Sequence, residues 1–129
     1  MGIRISFNLD LSLSENSSGS KELGAAPWKG TNDQQDDGGS FRQKIVAGAV
    51  NVSICMNGLA NGRLLAIKST KQITVKHNST ADTGWIIRPL GVGALDGIFI
   101  CTTDAVTAIY ITNAGTEDAE VTFYLGGMV

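Results

Sequence analysis

The stretch AVTAIYITNAGTEDAEVTFYLGG, residues 105–127, decides the fold class. Its first half places Thr107, Ile109 and Ile111 on one face of an extended chain and Ala108, Tyr110 and Thr112 on the other. Its second half sets Val121, Phe123 and Leu125 opposite Thr122 and Tyr124. Apolar residues recurring at period two, rich in β-branched and aromatic types, mark strands half covered by a core. Between the runs, residues 113–118 are polar and contain Gly115, the composition of a hairpin loop, so the two runs are predicted to pair as a closing hairpin. One hairpin buries one face only, and the upstream chain must supply a second sheet to cover it.

Working outward, the chain from Phe41 reads as a train of short strands. Residues 41–47 and 50–56 alternate around a glycine at 48, where a kink or bulge is expected. Asn57-Gly58 and Asn61-Gly62 are turn dipeptides. Residues 63–69 and 72–77 are predicted to form a hairpin about Thr70-Lys71, with Leu65 and Ile67 facing Ile73 and Val75. Trp85-Ile-Ile-Arg-Pro89 is a strand ended by its proline. Residues 90–96 form a glycine-loosened loop before the strand 97–102, and Thr103-Asp104 turns into the closing pair. That is eight or nine strands with turn signals every eight to twelve residues and no helix. The predicted fold is all-β: an antiparallel sandwich of jelly-roll type over residues 41–129.

Residues 1–40 read differently. Ile3, Ile5, Phe7, Leu9, Leu11 and Leu13 alternate without a break against polar residues, the cleanest period-two pattern in the chain. At ~3.3 Å per residue this strand extends roughly 35–40 Å, long for a small domain, so part of it is expected to pair outside its own subunit. Residues 15–40 are dominated by Ser, Gly, Asn, Asp and Gln and read as an extended loop or arm. Its one apolar island, Leu23 to Trp28 with Pro27, is a candidate interface anchor together with the six alternating residues, since Trp is favoured at interfaces. Asp33, Asp36 and Asp37 precede Gly38-Gly39 but do not fit the spacing of a calcium loop.

With 129 residues, the chain is one domain with at most an arm attached. A charged fraction of 17% and 16 glycines suit a turn-rich β protein that commits surface to contacts with other subunits. Net charge is −2, which gives no general attraction to nucleic acid, and the basic residues between 63 and 76 lack interleaved aromatics for base stacking. Charge is segregated: residues 1–40 hold three basic and six acidic groups, 41–95 seven and one, and 96–129 none and five. Such thirds could present complementary patches to copies of the same chain. Cys55 and Cys101 each sit in an apolar strand pattern and are expected as buried thiols. No signal peptide or membrane-spanning run is legible, so synthesis in a reducing cytosol and no membrane partner are expected.

A search for chemistry finds no catalytic, metal or cofactor set. His77 is the one histidine, at a strand end. Leu90-Gly-Val-Gly lacks the following helix that a phosphate loop needs. Asp96 and Asp104 could form a glycosidase carboxylate pair, but both are placed at turns, where Asp is favoured for backbone reasons. Asn51 and Asn78 head formal glycosylation sequons that have no meaning without secretion.

The order Arg63-Leu-Leu-Ala-Ile-Lys, Gln72-Ile-Thr-Val-Lys-His-Asn, Leu95-Asp-Gly-Ile-Phe-Ile, Ala105-Val-Thr-Ala-Ile-Tyr-Ile-Thr-Asn-Ala-Gly and Ala119-Glu-Val-Thr-Phe-Tyr-Leu-Gly-Gly resembles the small β-sandwich virion proteins of tailed bacteriophages. The resemblance covers about half the chain and lies in strand rhythm. It implies a non-enzymatic structural role as a head decoration (cement) protein, a homo-oligomer, often a trimer, docked on the major capsid protein or another virion protein after assembly in the host cytoplasm. A tail or baseplate accessory is the alternative within the same class. A module that reads host glycans through Trp28 or Trp85 is the alternative outside it. The mechanism expected of the first is strand addition: the alternating strand at Ile3–Leu13 joins a neighbour's sheet edge through main-chain hydrogen bonds.

Overall fold

A computed structural model describes the backbone of residues 3–14, 22–35, 37–56, 58–90 and 96–128, and the side chains of 40–56, 58–90, 96–101 and 106–128. Among these residues every regular element is a strand. The chain divides into two compact units, residues 1–35 and 36–129.

The first unit is a two-stranded antiparallel ribbon of β1 (Ile3–Ser14) and β2 (Glu22–Gln35). β1 is the strand its alternation predicts. β2 corrects the sequence reading, because residues 22–35 pair along β1 rather than forming a loop. With Gly24, Pro27, Gly30 and a polar tail, β2 has little strand propensity of its own, and pairing to a strongly patterned neighbour sets its conformation.

The second unit carries eight strands: β3 (Asp37–Ile45), β4 (Val52–Ser53), β5 (Asn61–Ser69), β6 (Ile73–His77), β7 (Trp85–Ile87), β8 (Gly97–Val106), β9 (Ile109–Thr112) and β10 (Ala119–Met128). They form two four-stranded antiparallel sheets, in the orders β3-β10-β5-β8 and β4-β9-β6-β7. The pairing is nested: β3 joins β10, β4 joins β9, β5 joins β8 and β6 joins β7. One long hairpin folded over on itself gives this order, and it is the jelly roll. The sandwich is therefore as predicted, although β3 begins at Asp37, four residues before the expected Phe41.

The core follows from the pleat. The inner face of the first sheet presents Ile45, Leu65, Ile67, Ala119, Val121, Phe123 and Leu125, all buried. The second sheet answers with Ile73, Val75, Ile87, Ile109 and Ile111. Phe123, in the central strand β10, stacks on Phe41 of β3 with ring centroids 5.0 Å apart.

Both predicted hairpins are instead crossovers between sheets. β9 and β10 lie in opposite sheets, as do β5 and β6. Period-two alternation fixes which residues point inward, and it is the same whether the next strand pairs alongside or arches over the core. Side chains turned into the bends favour the arch. Asn113, fully buried, donates from Nδ2 to the carbonyls of Ile45 (3.0 Å) and Glu117 (2.9 Å), and its Oδ1 accepts from Gly115 N. Its main chain exchanges bonds with Gly48 and Ala49, and Gly48 takes the positive φ that this turn requires. Ser69, also fully buried, closes the other arch by donating from Oγ to Lys71 O at 2.6 Å. Thr70 ties that arch to β10, donating its N–H to Glu120 O and accepting at Oγ1 from Glu120 N.

Asn61-Gly62, read as a turn, instead opens β5. The turn predicted at Thr103-Asp104 is interior to β8. Residues 91–95 of the glycine-loosened loop, Asn57 of the other turn dipeptide and Asp36 lie outside the described residues.

Candidate functional site

The candidate interface residues fall on the ribbon, and its register sorts them. Phe7, Leu9, Leu11 and Leu13 lie opposite Gly30, Trp28, Ala26 and Gly24, while Ile5 lies opposite Asn32 and Ile3 opposite Gln35. Alternate positions of a paired strand belong to one face, so these six residues and Trp28 share a single apolar face. The even positions Ser6, Asn8, Asp10 and Ser12 lie opposite Thr31, Lys29, Pro27 and Ala25 and form a mainly polar face. Pro27 thus falls in the other row from Trp28 although adjacent in sequence. Leu23 falls at the register shift between Leu13 and Ser14, outside either row. Asp33 lies in β2 and Asp37 in β3, so these two acids sit in different units.

Candidate catalytic groups do not converge. Asp96 forms an ion pair with Lys68 at 3.5 Å. Asp104 lies eight residues further along, within β8. The regularly paired run from Gly97 to Thr102 alone sets them roughly 15 Å apart, against the ~5–9.5 Å between the carboxyl groups of a glycosidase pair. His77 ends β6 on its inner face, with its ring centroid 5.8 Å from that of Phe99. Its Nε2 is buried without a hydrogen-bond partner among the described residues. Burial holds this imidazole below the usual histidine range, with the Asp82 carboxylate pulling weakly the other way. It is an edge-of-core residue.

The cysteines correct the expectation that both are buried. Cys55 is exposed and Cys101 half-buried, and the structure joins neither in a disulfide. Ile54 points inward beyond the two-residue β4, so the pleat turns Cys55 out. Burial pushes the Cys101 thiol up, which lowers its thiolate fraction at neutral pH. Native labelling should accordingly show two phases. Cys55 should react fast and Cys101 roughly tenfold or more slower, accelerating as pH rises. A single fast phase for both thiols would contradict the burial of Cys101.

The segregated charges find partners within the chain. Lys44 meets Asp118 at 3.8 Å, Lys68 meets Asp96 at 3.5 Å and Lys71 meets Glu117 at 2.6 Å. Every one of these pairs joins the basic middle third to the acidic last third. Nested pairing explains it, since β3 and β5 lie beside β10 and β8. All are at least partly exposed and are worth about 0–1 kcal/mol each.

A surface that the sequence reading missed lies along the flank where the sandwich ends in β7 and β8. Trp85 (61% exposed), Ile86, Leu90, Ile98 and Ile100 account for five of the eight exposed large apolar residues among those whose side chains are described. β7 and β8 approach closely there: a Cβ on Gly97 would stand 2.7 Å from Ile87 Cγ2. The signal was present in Gly97-Ile-Phe-Ile-Cys-Thr102, a strand without charge on either face although it lies at a sheet edge.

The fold and these surfaces define the class as a jelly-roll module bearing an amphipathic β-ribbon. Comparison with known proteins finds no matching family model, curated protein or solved structure.

Proposed function

We propose that the chain is a non-enzymatic structural protein of a tailed-bacteriophage virion, a head decoration protein that self-associates and docks on the capsid through its N-terminal ribbon. One observation carries this reading: the eight strands of β3–β10 complete both sheets of the sandwich without β1 and β2, which form a unit of their own. A ribbon of two strands is marginal in water by itself. Six apolar residues on one face, each worth about 1.5–3 kcal/mol when buried, call for a covering surface. Each strand of the ribbon also has one edge not used in the β1–β2 pairing, suited to addition along another sheet. The jelly roll alone does not decide function, since the same architecture serves capsids and lectins. The resemblance of its strand rhythm to that of small phage virion proteins, together with the ribbon, favours the capsid role.

The test is direct. Tailed-phage particles from the source that encodes the chain should contain it in many copies, with its density on the head lattice in electron cryomicroscopy. Particles that lack it would overturn the proposal.

A further inference from the structure

The first sheet of the sandwich has two edges, and they are defended unequally. At one edge, β3 presents Arg42 and Lys44 outward, both exposed, the usual protection against unwanted strand pairing. At the other edge, β8 pairs only with β5 among the described residues. Its outward side chains among the described residues are Ile98, 52% exposed, and Ile100, 39% exposed. No lysine, proline or acid falls between Asp96 and Asp104. Beside it, in β7 at the matching edge of the second sheet, stand Trp85 and Ile86, with exposed Leu90 three residues beyond that strand.

We propose that a second copy of this chain docks along the β7–β8 flank, with β8 pairing antiparallel to the partner's β8 across a two-fold axis. Such an axis, perpendicular to the sheets, joins the two four-stranded sheets into one of eight and brings the two β7 edges to face each other. A strand that pairs antiparallel with itself is self-complementary, as a two-fold interface demands, and two-fold dimers are the commonest homo-oligomers. Centring the pair on Phe99 sets Ile98 opposite Ile100 of the partner subunit, so the exposed isoleucines meet across the seam. The five apolar side chains expose on the order of 500 Å² per protomer, at the upper end of what monomers show. With the strand backbone added, the surface reaches the scale of the ~800 Å² per partner in a standard interface.

This inference goes beyond the proposed role and concerns only residues 36–129, so it is tested separately from capsid docking. In light scattering and sedimentation at micromolar concentration, the full chain should have twice its 13.5 kDa mass. Ile98→Lys and Ile100→Lys should each weaken association at least about tenfold and give the mass of one chain with an unchanged β circular dichroism spectrum. Tyr124→Lys, exposed on the same sheet face but in a central strand, should leave the dimer intact. If the lysine variants fail to fold, hydrogen exchange of the wild type decides. Amides of residues 97–102 should be protected about tenfold more in the dimer than after dilution. A one-chain mass throughout, a three-chain particle insensitive to the isoleucine substitutions, or β8 exchange independent of concentration would each overturn the proposal.

Discussion

Phe123→Ala is expected to lower the unfolding free energy by about 3–5 kcal/mol. The residue is fully buried at the middle of β10, between Phe41 of β3 and Ile67 of β5 in register. Truncation removes the stacked contact with Phe41 and leaves a void between two sheets whose backbones are fixed by strand pairing, so the site cannot collapse to fill it. For a domain whose total stability is typically 5–15 kcal/mol, this is a large fraction. Phe41→Ala at the partly exposed end of the same stack should cost less, because water already reaches that ring. Urea unfolding of the two variants checks both statements, and a Phe123→Ala change below about 1 kcal/mol would mean that β10 is not the centre of the core.

The second large effect separates two N-terminal deletions that differ by five residues. Removing residues 1–35 takes away the ribbon and leaves all eight strands of the jelly roll, so cooperative unfolding should persist. Removing residues 1–40 also takes the first four residues of β3, Asp37 to Ser40, which pair with Tyr124 to Gly127 of β10. At about 0.5–1.5 kcal/mol per hydrogen bond, the longer deletion should be some 2–4 kcal/mol less stable than the shorter one. Equal stability of the two would show that β3 effectively begins at Phe41. Loss of folding in the shorter deletion would make the ribbon part of the core.

What the sequence made legible follows from what period two encodes. The inward residues Ile109, Ile111, Val121, Phe123 and Leu125 could all be named from alternation, because a pleat assigns faces without reference to neighbours. Sheet membership was not encoded in this way. The arches at Asn113 and Ser69 depend on single polar side chains finding carbonyls dozens of residues away or across the bend, and in sequence they look like ordinary loop residues. β2 was illegible for the opposite reason, since its glycines, proline and polar residues take strand form only through β1. The separation of basic and acidic thirds was visible, but its meaning changed with topology: nested pairing brings Lys44, Lys68 and Lys71 to acids of the same chain. Within the candidate site, the apolar row from Ile3 to Leu13 was plain in the sequence. Its junction with Trp28, and the placing of Pro27 on the other face, required the register.

In the proposed capsid role, the ribbon is the docking element. The most direct measurement is co-sedimentation of the purified chain with phage heads stripped of it, comparing the full chain with the deletion of residues 1–35 and with Leu9→Asp in the apolar row. The full chain should pellet with the heads at saturable stoichiometry, while the folded deletion stays in the supernatant and Leu9→Asp binds at least about tenfold more weakly. A folded deletion that binds the heads as well as the full chain would contradict the claim.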